Sequence, residues 1–272
     1  MIIGIGNIVF GGTGKTQMVI TLGEKMKTDF AVIHSGYGGR FKGKVKLVYD
    51  GNNLLSTPDE CGEEAILIAK RLKNSVVAVG RKREDVIEFI KEEFGIDNFI
   101  LDDAIQYRRL KKDLEIMMIN SDRPFFIPRD NPGYVNLSDC VIIVDRGRYS
   151  PLLKNIKIPR FFARVEPVNL PKIRKVIGFC GIGNPESFRR ILIENGYDLC
   201  EFYIFRDHHF YKDEEIRFLK NRCRIKNADG IITTEKDIIK IKDDDIFYIK
   251  TELKVEDSFF RFLSSSHPEI PI

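Results

Sequence analysis

The stretch Val9-Phe10-Gly11-Gly12-Thr13-Gly14-Lys15-Thr16 constrains this chain more than any other. It follows a short apolar run, Ile2 to Ile5, and enters a segment whose apolar residues Met18, Val19, Leu22 and Met26 fall at helical spacing. Strand, glycine loop, helix is the order that cradles a phosphate. Glycines let backbone N–H groups converge on an anion at the positive end of a helix, a lysine reaches the outer phosphates, and a threonine hydroxyl faces Mg²⁺. Lys15 and Thr16 stand at those two positions. Val9 occupies the place where a strict G-x-x-x-x-G-K-[ST] pattern has glycine, so the match rests on Gly14-Lys15-Thr16 and the Gly11-Gly12 pair. All eight residues from Val9 to Thr16 are expected to line the nucleotide site, with Thr16 also reaching the metal.

Strand-like runs recur at Phe30 to Ile33, Ser75 to Val79, Asn98 to Leu101, Leu114 to Ile119 and Cys140 to Val144. Several are continuously apolar, as strands buried on both faces are. Helical patterns at Glu63 to Leu72 and Arg83 to Phe94 separate some of them, which is the rhythm of a parallel α/β sheet. Arg146 to Pro171 carries prolines at 151, 159, 167 and 171 and reads as a connector with short extended pieces. The rhythm then restarts, with strands at Val176 to Cys180 and Leu199 to Phe205 and helices at Pro185 to Glu194 and Asp213 to Cys223. The expected architecture is a P-loop-type α/β domain over residues 1–147, a connector over 148–172 and a second, smaller α/β domain over 173–272.

Composition removes whole classes of function. At 272 residues, with 43% hydrophobic and 31% charged residues, the chain is a globular protein rather than a disordered or fibrous one. A net charge of +4 without strong Lys and Arg clustering argues against a nucleic-acid partner. Five cysteines with no C-x-x-C pair do not make a disulfide framework, and they fit a reducing cytoplasm. There is neither a signal-peptide pattern nor a run of 18 apolar residues, which leaves peripheral membrane contact open.

Two further segments carry chemistry. Phe99-Ile100-Leu101-Asp102-Asp103 is an apolar strand ending in two carboxylates, where P-loop proteins hold Mg²⁺ opposite the loop hydroxyl. Arg206-Asp207-His208-His209-Phe210 sets two histidines beside an aspartate just after a strand. That group could supply a general base or its orienting partner, or be surface histidines; metal binding fits less well, because adjacent side chains on an extended segment diverge.

Taken in order, Gly6-Asn7, Ser35-Gly36-Tyr37-Gly38-Gly39, Asp102-Asp103 with Gln106, Gly181-Ile182-Gly183-Asn184-Pro185, Asp207-His208-His209 and Thr233-Thr234-Glu235-Lys236-Asp237 resemble the tetraacyldisaccharide 4'-kinase family. These are peripheral inner-membrane enzymes of lipid A biosynthesis in Gram-negative bacteria. The resemblance runs from Gly6 to about Ile241. It implies transfer of phosphate from ATP, with Mg²⁺, to the 4'-hydroxyl of a tetraacylated glucosamine disaccharide 1-phosphate, by two domains that close around nucleotide and lipid.

By that resemblance Gly62-Glu63-Glu64-Ala65 aligns with the family's Gly-Asp-Glu-Pro, placing Glu63 where the catalytic Asp stands, with His208 and Asp207 assisting it. Asp103 and Asp130 are the expected metal carboxylates beside Thr16. Ser35 replaces the family's Arg, and Tyr107 its His. These substitutions keep a second possibility open, a P-loop ATPase or phosphate-binding module without lipid kinase activity. The usual apolar N-terminal segment is not seen ahead of the first strand, so membrane contact is expected to be weak and peripheral, on the cytoplasmic face of the inner membrane. Arg40-Phe41-Lys42-Gly43-Lys44 and Arg108-Arg109-Leu110-Lys111-Lys112 are candidate contacts for substrate phosphate or anionic headgroups, or else solvated loops.

Overall fold

The computed structural model describes residues 1–9, 12–128 and 130–272, so Phe10, Gly11 and Arg129 lie outside the described residues. The chain divides into two compact units. The first comprises residues 1–165 and 253–272, and the second comprises 166–252.

The first unit opens with β1 (Ile2–Gly6), α1 (Lys15–Gly23), β2 (Phe30–His34) and β3 (Lys46–Tyr49). It continues through α2 (Pro58–Cys61), α3 (Glu63–Arg71), β4 (Ser75–Val79), α4 (Arg83–Phe94) and β5 (Phe99–Asp102). β6 (Leu114–Asn120), β7 (Cys140–Val144) and β8 (Arg160–Pro167) follow. After the second unit the chain returns as β13 (Thr251–Val255) and α8 (Asp257–Ser266).

The sheet has the order β13-β8-β7-β6-β1-β5-β2-β4-β3. From β8 to β4 every neighbouring pair is parallel, and β3 is antiparallel to its partner β4. β2, β4, β5 and β7 are buried at every position, which is why their sequences show no alternation. On one face α4 seats Val86, Ile87 and Ile90 against Ala31, Ile33, Val76, Ala78, Phe99 and Leu101. Because β1 and β5 run parallel, the loop after β1 and the carboxylates ending β5 emerge at the same edge. Open α/β sheets bind ligands at that carboxyl edge.

The second unit holds β9 (Lys175–Cys180), α5 (Pro185–Glu194), β10 (Asp198–Ile204), α6 (Asp213–Ile225), β11 (Gly230–Thr234), α7 (Glu235–Ile238) and β12 (Ile246–Ile249). Its all-parallel sheet has the order β10-β9-β11-β12. α5 covers one face through Phe188 and Leu192, and α6 covers the other through Ile216 and Leu219.

The boundaries differ from the sequence reading at two places. Much of the expected connector is ordered structure of the first unit, where β8 adds to the sheet beside β7. Residues 253–272, expected in the second domain, also belong to the first unit. The cause is aromatic packing, since Phe259 and Phe262 of α8 stand 5.4 and 5.2 Å from Phe161 of β8, ring centroid to centroid. No disulfide occurs: all five cysteines are free thiols, with Cys61, Cys140 and Cys180 buried.

Candidate nucleotide and phosphoryl-transfer site

Gly14 caps α1 in the left-handed region, at φ 81°, a conformation that glycine adopts without strain. Lys15 and Thr16 are therefore the first residues of a helix whose N-terminal amides face the loop. Asn7, buried at the end of β1, organises the loop from below. Its amide donates to Thr13 Oγ1 at 2.8 Å and its Oδ1 accepts from Lys15 Nζ at 3.2 Å. Gln106 in turn donates to the Asn7 carbonyl at 2.8 Å. Lys15 also stands 3.6 Å from Asp103 Oδ1. On the other side, Arg146 Nη2 donates to the Gly12 carbonyl at 3.0 Å. Val9 is buried with Ile8, Ile105 and Met117, so its side chain belongs to the core and only its backbone is left for the loop.

The expected metal carboxylate was Asp103, yet it is Asp102 that the Thr16 hydroxyl meets, donating to Oδ2 at 3.4 Å. The strand extends one residue further than its apolar run, so Asp102 points into the protein and Asp103, at φ 53°, turns outward. Burial pushes the Asp102 carboxyl up to about 6, opposed by His34 and reinforced by Glu64. Its Oδ1 is buried and has no hydrogen-bond partner among the described residues. A buried carboxylate oxygen in that state, beside a helix-start threonine hydroxyl and a second carboxylate, is an oxygen donor set of the kind a hard divalent cation takes.

His34, ending β2, is the residue that sequence reasoning missed. Its Nε2 lies 3.3 Å from Glu64 Oε2 and 4.0 Å from Asp102 Oδ2, and its Nδ1 accepts the Gly36 amide at 3.0 Å. Burial works against a proton on this ring, but the Glu64 hydrogen bond and the Asp102 charge outweigh it, so the imidazole sits above its ordinary value. The Gly36 contact leaves Nε2 as the nitrogen that carries hydrogen, and that geometry assigns the Nε2–H tautomer. Its one sequence signal was a histidine at the carboxyl end of an apolar parallel strand. Arg83, also buried, bridges the strand ends by donating to the Gly80 carbonyl at 2.7 Å and the Asp102 carbonyl at 3.2 Å.

Glu63 and Glu64 open α3 immediately after Gly62, which has φ 84° and approaches so closely that a Cβ there would lie 2.3 Å from the Tyr37 carbonyl. That approach packs the Ser35 to Gly39 loop on the start of α3. Glu63 is wholly buried, whereas Glu64 faces His34. Asp130 is engaged elsewhere: Arg108 donates to its Oδ2 at 2.8 Å, and the Asn131 amide to its Oδ1 at 3.0 Å.

In the second unit His208 holds a left-handed backbone at φ 61°. Its amide donates to the Gly181 carbonyl at 3.2 Å, and its Nε2 lies 3.7 Å from Asp207 Oδ2. His209 points to a different partner, Glu215, at 2.9 Å, with its ring stacked on Phe205.

A glycine turn at a helix start, with a lysine and a threonine facing strand-end carboxylates on a parallel sheet, defines a P-loop α/β protein built to hold nucleotide phosphates. Within that class, residues 1–267 match the family model for tetraacyldisaccharide-1-P 4'-kinase, and the chain belongs to that family. The tetraacyldisaccharide 4'-kinase of Syntrophus aciditrophicus (strain SB) is 33% identical over 281 residues, covering 88% of this chain and 75% of the relative. That of Halothermothrix orenii is 30% identical over 288 residues, covering 90% and 75%. The crystal structure of the "apo" form LpxK from Aquifex aeolicus in complex with ATP superposes with a TM-score of 0.77 at 26% identity, over 100% of this chain and 88% of that one.

Proposed function

We propose that this protein transfers the γ-phosphoryl group of ATP to the 4'-hydroxyl of a tetraacylated glucosamine disaccharide 1-phosphate in lipid A biosynthesis. The observation that carries the reading is the joined cluster of Lys15, Thr16, Asp102 and Asp103 at the carboxyl edge of the sheet, in a chain of this family.

The loop amides and Lys15 hold the β- and γ-phosphates and neutralise charge as it spreads over the transferring group. The sugar oxygen forms a bond to the γ-phosphorus, the bond from that phosphorus to the β–γ bridging oxygen breaks, and ADP leaves. Mg²⁺ fits the oxygens of Thr16, Asp102 and Asp103, where it supplies charge neutralisation on the phosphates. Asp130 is left outside this set because Arg108 occupies its carboxylate. His34 and Glu64 orient Asp102. Glu63 accepts the hydroxyl proton; a positioned base contributes roughly 10² to 10⁴-fold.

The acceptor is a lipid, so the protein works at a membrane surface, on the cytoplasmic side of the inner membrane. Among the described residues no helix is long and apolar enough to cross a bilayer. Phosphate transfer from labelled ATP to the disaccharide lipid, compared with ATP hydrolysis in its absence, tests the function. Lipid phosphorylation that Lys15→Ala abolishes without unfolding the protein is the expected result. ATP hydrolysis with no lipid product defeats it, as does Lys15→Ala activity within about tenfold of wild type.

A further inference from the structure

α1 carries Lys15 and Thr16, and at 9 residues it is too short to be a stable helix on its own in water. Packing fixes its position, and part of that packing comes from the far end of the chain. Three buried side chains lie under Gly14, the residue that caps the helix: Met118 of β6, Val144 of β7 and Leu253 of β13. A Cβ on Gly14 would meet them at 3.8, 3.8 and 3.9 Å, which are ordinary contact distances. Two of the three belong to the parallel strands beside β1. Leu253 belongs to the segment that returns to the first unit after the second.

That segment also meets α1 further along. Thr21 Oγ1 donates to the Leu253 carbonyl at 3.1 Å, across 232 positions of sequence. Past the helix end, the Lys27 amide donates to the Pro271 carbonyl at 2.8 Å and its Nζ to the Ile272 carbonyl at 2.9 Å. Lys25 Nζ stands 5.6 Å from the centre of the Phe260 ring. Residues 253–272 thus hold α1 at its start, in its second turn and beyond its end. A helix of this length is about 13 Å of stiff rod, so a slip anywhere along it moves the N-terminal amides.

We propose that Leu253 and Thr21 are positioning residues for phosphoryl transfer, through which residues 253–272 set where Lys15 and Thr16 stand relative to Asp102. The contact they protect has little slack. Thr16 Oγ1 meets Asp102 Oδ2 at 3.4 Å, the outer limit of a hydrogen bond, and a small retreat of the helix breaks it. Misplacing a reacting group by about 1 Å can cost on the order of 10²-fold in rate, so the brace acts on chemistry as well as on stability. The inference rests on the ATP reading above.

The test compares ATP affinity, by calorimetry with Mg²⁺, and kcat with the disaccharide lipid, at a temperature where circular dichroism shows every variant folded. Leu253→Ala removes one wall under Gly14 and should weaken ATP binding and lower kcat by about tenfold each, while Leu253→Met refills the space and should restore both to within about threefold. Thr21→Val keeps its shape and loses only the hydroxyl; kcat should fall about threefold or more, which decides the question if Leu253→Ala does not fold. Leu192→Ala opens a comparable cavity in the core of the second unit. It should unfold at lower urea yet keep ATP affinity within about twofold of wild type. ATP affinity and kcat within about twofold of wild type in both Leu253→Ala and Thr21→Val overturn the assignment, as does an equal loss of ATP affinity in Leu192→Ala. Wild-type protein that binds no ATP overturns the nucleotide reading instead.

Discussion

Thr16 Oγ1 donates to Asp102 Oδ2 at 3.4 Å, so the phosphate loop closes onto the buried aspartate of the pair, while its neighbour Asp103 faces Lys15 at 3.6 Å. The two carboxylates have different surroundings. Asp102 is held by His34 and covered by the protein, whereas Asp103 is a partly exposed counter-charge that water screens.

Asp102→Asn is therefore expected to lower kcat by roughly 10² or more and to raise the Mg²⁺ concentration needed for half-maximal rate, whereas Asp103→Asn should act several-fold less. Magnesium titrations of initial rate in the two variants check this. A larger loss at Asp103 would transfer the principal metal position to it.

Much of this was legible in the chain because it is local. Glycine spacing before Lys15-Thr16, apolar runs too continuous for an exposed strand, and the acidic pair ending one of them each involve a few consecutive residues. The cluster that supports Asp102 is not of that kind. His34, Glu64 and Asp102 come from β2, α3 and β5 and meet through the order of strands in the sheet, which no single window of sequence contains. The return of residues 253–272 to the first unit was hidden for the same reason. An amphipathic helix displays the face it will bury, Phe259 and Leu263 here, without naming the sheet that receives it.

Within the second unit, Asp237 is fully buried and ties several segments together. It accepts from the Gly181 amide at 3.1 Å, from Tyr211 at 2.9 Å and from Thr234 at 2.7 Å, with the buried Lys240 ammonium 3.2 Å away. Removing one charge from such a pair strands the other, so Asp237→Ala should cost about 3–5 kcal/mol of unfolding free energy. Asp237→Leu with Lys240→Met should recover a good part of it. Since the Gly181 carbonyl accepts the His208 amide, Asp237→Ala should also loosen the His208 loop and raise its amide exchange. Urea unfolding of the three proteins decides the point, and a single-variant cost below about 1 kcal/mol would deny Asp237 this role.

Phe126 and Ile127 are exposed side by side, with Arg123 over the Phe126 ring at 5.1 Å. A short apolar tip beside a cation suits shallow insertion at an anionic interface, and an attraction that is largely electrostatic weakens with salt. Flotation with anionic vesicles should fall steeply as salt rises, and Phe126→Ser with Ile127→Ser should lower it further. Tight binding that neither salt nor these changes reduce would place the membrane contact elsewhere.

The two glutamates that open α3 have different surroundings. They differ by one helical position, about 100° around the axis. Glu63 is wholly enclosed, whereas Glu64 reaches the His34 ring at 3.3 Å and through it Asp102. If Glu63 takes the proton of the sugar hydroxyl, Glu63→Gln keeps shape and removes proton affinity, so kcat should fall by at least roughly 10² while ATP binding stays near that of wild type. Glu64→Gln keeps a carbonyl oxygen to accept from His34 Nε2–H and removes one negative charge near Asp102, so it should act mainly on the Mg²⁺ requirement and cost far less in kcat at saturating metal. Measuring kcat, ATP affinity and Mg²⁺ dependence for both variants distinguishes the roles. Equal losses in kcat, or a larger one at Glu64, would move the base one position along the helix and make the His34 contact part of the proton path.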